Sequence, residues 1–169
     1  MFDVLKDLDV PWRSVAVWQV DERVAPDGDP ERNAPQLDVL QGKHHLMPVT
    51  AKDLAAATRR YARSLPARFD VVHLGMGDDG HTASWPPGDP VIESNEPVAL
   101  SQPYQGRIRM TLTPGVVNRA TGRVMLTFGA GKSQALAGWV DAARSELPVA
   151  RLRRSRTVIF TDAAAAVEL

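Results

Sequence analysis

Cysteine is absent from the 169 residues, which excludes disulfide staples, thiolate nucleophiles and zinc–cysteine sites. Net charge is lacking too: 20 Lys and Arg balance 20 Asp and Glu. No overall basic field exists to hold nucleic acid without specificity. No segment approaches the ~20 apolar residues needed to span a bilayer, and Met1 to Asp7 lacks a basic stretch followed by an apolar one. These absences predict a cytoplasmic protein with neither nucleic-acid nor membrane partners. A local exception is the basic run Arg151-Leu-Arg-Arg-Ser-Arg156, which reads as a nucleic-acid patch or, better, as a solvated loop rim. Hydrophobic residues make up 44% of the chain, enough for one core in a single domain spanning 1–169.

Val15 to Val20 has strand character and stops at the charged triplet Asp21-Glu22-Arg23, ahead of a Pro/Gly/Asp-rich loop from Ala25 to about Pro35. His44 and His45 fall in what reads as a polar loop. Thr50 and Asp53 have the spacing of a capping box. They open a predicted helix with Leu54, Thr58, Tyr61, Ala62 and Leu65 on one face, ended by Pro66. Further strands are expected at Phe69–Leu74, Val98–Leu100, Arg107–Leu112, Arg123–Phe128 and Thr157–Phe160. Helical pattern occupies Gly131–Ala143, a short turn of helix is expected from His81, and an alanine-rich helix start follows Asp162. Strands alternating with helices argue for a doubly wound α/β fold: a mostly parallel, Rossmann-like sheet with helices on both faces.

The densest chemistry lies in Phe69–Ser84, where an apolar strand runs into Gly75-Met-Gly-Asp-Asp-Gly-His81. Strand ends of open α/β sheets collect ligands, and an imidazole held there is suited to moving protons. The glycines match a dinucleotide fingerprint in form, but Asp78 and Asp79 would oppose a pyrophosphate and prolines soon stop any following helix. Gly129-Ala-Gly-Lys-Ser133 resembles the end of a P-loop, yet Leu126 stands where that motif needs glycine. Lys132 at a helix start suits one phosphate or carboxylate, or is simply solvated. Arg23 at a strand end offers a fork for an oxyanion, with the carboxylates of Asp21 and Glu22 able to fix it or a histidine tautomer, though charged strand ends are also common on surfaces. No histidine–carboxylate spacing supports a metal.

The series Trp12, Asp21-Glu-Arg23, Asn33, Tyr61, Phe69-Asp70, Leu74-Gly-Met-Gly-Asp-Asp-Gly-His-Thr-Ala-Ser84, Arg109-Met-Thr-Leu-Thr113 and Gly131-Lys132 resembles the 6-phosphogluconolactonases, a branch of a family shared with glucosamine-6-phosphate deaminases. Deaminases continue Asp-Gly-His with Ile-Ala-Phe-Asn-Glu-Pro. Thr82-Ala83-Ser84 follows the lactonase pattern instead. Three departures stand out. Family members carry a strand, a Gly-Gly-Ser/Thr-Pro loop and a helix that have no counterpart before Trp12. Trp85-Pro86-Pro87 replaces Leu-Phe-Pro, and Arg32 replaces the serine before Asn33, in a shortened segment.

The resemblance implies an N-terminally shortened doubly wound fold and cofactor-free, metal-free hydrolysis of 6-phospho-D-glucono-1,5-lactone to 6-phosphogluconate. It places His81 as general base, with Asp79 orienting His81 or the water, unless Asp79 merely caps the following turn. Arg23 and the loop amides of Gly77 and Gly80 would meet oxyanion or phosphate charge, with Asp21 beside them; Lys132 and Arg109 would take the phosphate. The alternatives are a weak or inactive sugar-phosphate-binding relative and an amino-sugar-phosphate isomerase. A sheet lacking its first strand is expected to self-associate through the exposed region or to bind substrate weakly.

Overall fold

The computed structural model describes residues 2–142 and 144–169. Met1, and Ala143 at the expected end of the last long helical pattern, lie outside the described residues. Along the chain run α1 (Phe2–Leu5), β1 (Ala16–Trp18), β2 (Asp21–Arg23), β3 (Lys43–His45), α2 (Leu54–Ser64), β4 (Val71–Gly75), β5 (Val98–Leu100) and β6 (Arg109–Leu112). They are followed by α3 (Pro114–Arg119), β7 (Gly122–Thr127), α4 (Ser133–Val140) and β8 (Thr157–Thr161).

The chain folds as mixed α/β. β7 lies between β4 and β8, parallel to both. Its Met125 is fully buried, and Val72 and Leu74 on the neighbouring β4 are buried with it. β1 and β3 form a second parallel pair. Among the described residues the two parallel sheets do not join, and a recess of about 520 Å³ lies between them, lined by Val17, Trp18, Val72 and Leu74 among others. β1 and β4 are thus edge strands on either side of an apolar slot.

The third sheet differs from the sequence expectation. Asp21–Arg23 is not the end of the first strand but a strand of its own, antiparallel to β6, which is antiparallel to β5. Fully buried Trp85 packs in the core and donates its Nε1–H to the Leu112 carbonyl, 2.8 Å away, so one side chain clamps the loop after β4 to β6. Truncation to alanine there would cost about 3–5 kcal/mol.

Local corrections have local causes. His44 and His45 belong to β3, because the His45 ring stacks flat on Trp18 at 3.6 Å and the strand pairs with β1. The Tyr61 hydroxyl then joins the two strands by donating to the carbonyls of Gln19 and His45, 2.9 and 3.1 Å away. Asp53 is itself the N-cap of α2, accepting from the Ala56 amide at 2.8 Å, rather than the third residue of a box opened by Thr50. No helix starts at His81. Ala83 has φ +50°, and the side chains of Thr82 and Ser84 bond to Gly75 and Asp21, drawing the backbone into turns. After Asp162 the chain forms turns instead of a helix, with the Asp162 carboxylate accepting from the Ala165 amide.

Candidate active site

β4 delivers the chain at Gly75 into a loop closed by its own amides. The Gly77 N–H donates to the His81 carbonyl at 2.8 Å, and the Gly80 N–H to the Gly77 carbonyl at 3.0 Å. These two amides are therefore engaged inside the loop, and the two glycines act by shape. Gly80 needs its left-handed φ of +77°. Gly77 matters for closeness: a Cβ there would overlap the His81 ring and lie 2.6 Å from Asp79 Oδ1. Behind the loop, Val149 donates to the Gly80 carbonyl and Thr82 Oγ1 to the Gly75 carbonyl.

The loop holds His81 Nδ1 2.6 Å from Asp79 Oδ1. Burial raises the Asp79 carboxyl, but hydrogen bonds from Tyr104 and His81 outweigh it and hold the group below its ordinary value. An ionised carboxylate only accepts, so Nδ1 carries the proton and Nε2 of the neutral imidazole is left as an acceptor. Asp79 does not only cap the turn; it fixes the tautomer. The His81 side chain keeps 26% exposure, which leaves the ring accessible.

Tyr104 completes this chain of bonds and was not legible as a site residue. Its hydroxyl donates to Asp79 Oδ2 at 2.7 Å. Burial and the facing Asp79 push the phenol up to about 12, so it stays a donor at neutral pH. Gln105 and Gly106, with φ of +52° and +80°, make the two-residue tip that folds Tyr104 over the loop. The signal was present in Gln105-Gly106 between two predicted strands; the partner of Tyr104 was not.

Antiparallel pairing sets Arg23 opposite Arg109. Arg109 is 4% exposed; its guanidinium lies 4.9 Å over the Tyr104 ring, and its buried Nε has no partner among the described residues. Burial, then the Arg23 charge, pushes its pKa down, while Asp21 and Tyr104 draw it back. Asp21 accepts from Ser84 Oγ at 2.6 Å, and burial raises its carboxyl despite Ser84 and the arginines. Asp21 and His81 line the same recess. Arg23 bonds to the Asn33 side-chain oxygen.

Glu22, read from the sequence only as a carboxylate able to fix Arg23 or a histidine, is the keystone of this corner. Fully buried, it accepts from the amides of Arg23, Asn33 and Ala34 and from Gln19 Nε2, and pairs with Arg32 at 2.9 Å. Burial raises its pKa, but these donors outweigh burial and lower it. Arg32, standing where a serine is usual, is the internal counter-ion. Lys132 sits at the rim in the turn before α4, paired with Asp78; Gly131 lets Asp78 come that close, since a Cβ there would lie 2.9 Å from its Oδ2. His81, Asp79, Asp21, Arg23 and Arg109 thus converge around one loop, with Lys132 tied to the residue beside Asp79.

Comparison with known proteins places the fold and the family. The family model for glucosamine-6-phosphate isomerases/6-phosphogluconolactonase matches residues 1–160. A 6-phosphogluconolactonase of Synechocystis is 31% identical over 155 residues, covering 80% of this chain, and the chain spans 64% of that relative's length. A 6-phosphogluconolactonase structure from Thermotoga maritima superposes with a TM-score of 0.84 at 22% identity, over 95% of this chain and 78% of the other. A monomeric glucosamine-6-phosphate deaminase superposes with a TM-score of 0.87 at 18% identity, over 99% and 82%. The backbone fold is therefore common to both branches, Rossmann-like with an added antiparallel unit, and does not separate them. The chain belongs to the glucosamine-6-phosphate isomerase/6-phosphogluconolactonase family.

Proposed function

We propose that this chain hydrolyses 6-phospho-D-glucono-1,5-lactone to 6-phosphogluconate, with His81 as general base. The observation that carries the reading is the Tyr104–Asp79–His81 chain of hydrogen bonds, which engages Nδ1 and leaves Nε2 free to meet water at a strand end. His81 Nε2 takes a proton from water as the water oxygen bonds to the lactone carbonyl carbon. The carbonyl electron pair moves to oxygen, and Arg23, beside Asp21 at the same corner, is the cation offered to that charge. When the tetrahedral intermediate collapses, the bond to the ring oxygen breaks and the imidazolium returns its proton to that oxygen. The products are a carboxyl group and a free hydroxyl, so no electron acceptor, metal or cofactor enters the balance. Lys132, with Arg109, takes the phosphate.

An amino-sugar isomerisation is disfavoured by the residues after His81. Thr82 and Ser84 are buried in scaffold hydrogen bonds, and Pro86 stands where the deaminase pattern has its glutamate. A weak sugar-phosphate binder is the second reading, favoured by the open slot between β1 and β4. Two facing strand edges along an apolar recess also favour self-association, read by light scattering across a concentration series. A cytoplasmic location goes with this reading, and no helix among the described residues is long and apolar enough to cross a membrane.

The deciding experiment follows lactone disappearance above its spontaneous rate for the native chain and for His81→Ala. General-base loss should lower kcat by about 10²–10⁴ with substrate affinity kept. Full kcat in the variant removes His81 from the mechanism. Tight sugar-phosphate binding without turnover in the native chain selects the binder.

A further inference from the structure

The basic run near residue 151 acquires neighbours that its sequence does not show. Arg153 and Arg156 stand with Arg68, Arg119 and Arg123 around a recess of about 650 Å³. Arg68 precedes β4, Arg119 ends α3 and Arg123 lies in β7. Among the described residues, the arginine ion pairs join Arg32, Arg107, Arg144 and Arg151 to carboxylates, and none of these five takes part in one. A chain of zero formal charge therefore gathers five cations in one hollow without a counter-ion.

The hollow is built, not a loose rim. Arg123 is 2% exposed and is held by the carbonyls of Asn118 and Ser155 and by Thr157 Oγ1. Asn118 ties the opposite wall down, accepting from the Arg153 amide at 2.8 Å and donating to the Arg151 carbonyl at 2.8 Å. Arg156 is held at φ +60°, a left-handed conformation that costs a non-glycine residue free energy. Burial lowers the Arg123 pKa, and the charges of Arg153 and Arg156 lower it further, so like charges press on one another. Bringing them together costs stability unless an anion neutralises them.

We propose that this recess is a binding site for a compact oligophosphate. Guanidinium forks match phosphate oxygens bidentately; with Arg123 bonded into the wall and supplying charge alone, the four remaining forks still exceed what one monoanion can neutralise. The recess lining contains no aromatic side chain, so phosphates are recognised and a nucleobase is not. The site is separate from the lactone site. Gly122 and Arg123 lie where β7 begins, whereas Gly75 and the His81 loop lie where the parallel strand β4 ends, on the order of 15 Å away at 3.3 Å per residue.

Calorimetric titration of the native chain with inorganic tripolyphosphate tests this. One equivalent should bind with a Kd below about 1 mM at low salt, and more weakly at high salt as the charges are screened. Arg68→Ala and Arg153→Ala, both at exposed positions, should each weaken binding about tenfold, while Lys132→Ala leaves it unchanged. ATP should bind no more tightly than tripolyphosphate. Absence of saturable binding overturns the proposal. So does binding abolished in Lys132→Ala but kept in the two arginine variants, which would put the anion in the lactone site. A short single-stranded oligonucleotide binding more tightly than tripolyphosphate would make the surface a nucleic-acid contact instead.

Discussion

Replacing Gly77 by alanine adds one carbon at the tightest point of the candidate site. Gly77 is not in the left-handed region, so its backbone accepts an L side chain. The added Cβ would overlap the His81 ring and crowd Asp79 Oδ1 at 2.6 Å, and nothing else lies as near. His81 must then move by roughly 1 Å or more, and a displacement of that size in a reacting group costs about 10²-fold. The expected fall in kcat therefore lies between about 10² and the 10⁴ available from general-base loss. Stability should suffer little, because the shift breaks one half-exposed, charge-assisted hydrogen bond worth at most about 2 kcal/mol, or roughly 4–8 °C in Tm. Gly115→Ala serves as control: its Cβ would meet only Thr113 Oγ1 at 3.9 Å. The assay pairs lactone disappearance above the spontaneous rate with thermal unfolding. Gly77→Ala with kcat within about threefold of the native chain would refute the claim that the Asp79–His81 geometry governs turnover.

Tyr104→Phe removes one donor bond to Asp79 while keeping the ring under Arg109, so kcat should fall about three- to tenfold with KM nearly unchanged; steady-state kinetics checks this. Lys132→Ala should act chiefly on KM, since a phosphate remote from the carbonyl binds ground and transition states alike; an unchanged KM excludes Lys132 from the phosphate site. Glu22→Gln takes away the buried partner of Arg32, leaving it only the exposed Asp27 carboxylate at 3.1 Å, and should cost about 3 kcal/mol in chemical unfolding at pH 7. Because the folded pKa of Glu22 is lowered, its carboxylate stabilises the native chain fully above the ordinary value of 4.5, and that contribution is lost progressively as pH falls from there through the lower folded value. Unfolding of Glu22→Gln should accordingly show a shallower acid limb. Asp21, with a raised folded pKa, works in the opposite sense: its contribution is present at low pH and fades as pH rises.

Periodicity exposed β4 and β7 because their burial repeats locally, in the apolar run of the one and the alternation of the other. β3 was missed because Lys43-His-His45 carries no apolar alternation; its order comes from the Trp18 stack and from pairing with a strand far away in sequence. β2 was missed for a related reason, and with it the antiparallel pairing of a unit whose other two strands, β5 and β6, were expected. Asp21-Glu-Arg23 reads as a surface end, since nothing nearby announces that Arg32, Asn33 and Gln19 will satisfy a buried carboxylate. His81, Asp79 and the glycines were legible because the loop that makes their chemistry is contiguous.

The residues that complete the site had to be found in three dimensions, and they share one trait: each acts through a residue already suspected. Tyr104 bears on Asp79, Glu22 fixes the backbone of Arg23, and Ser84 holds Asp21. Such partners carry no motif, because a hydroxyl or carboxylate can arrive from any element that passes within hydrogen-bond reach. The hairpin tip at Gln105-Gly106 delivers Tyr104 here, and a tip of different length would flip the register and turn that side chain away. The spacing between β5 and β6 is therefore as much a determinant of the His81 tautomer as the residue beside it. Inserting one residue at the tip should lower kcat at least as far as Tyr104→Phe does, with both strands still formed; activity equal to that of the native chain would show that Asp79 alone suffices.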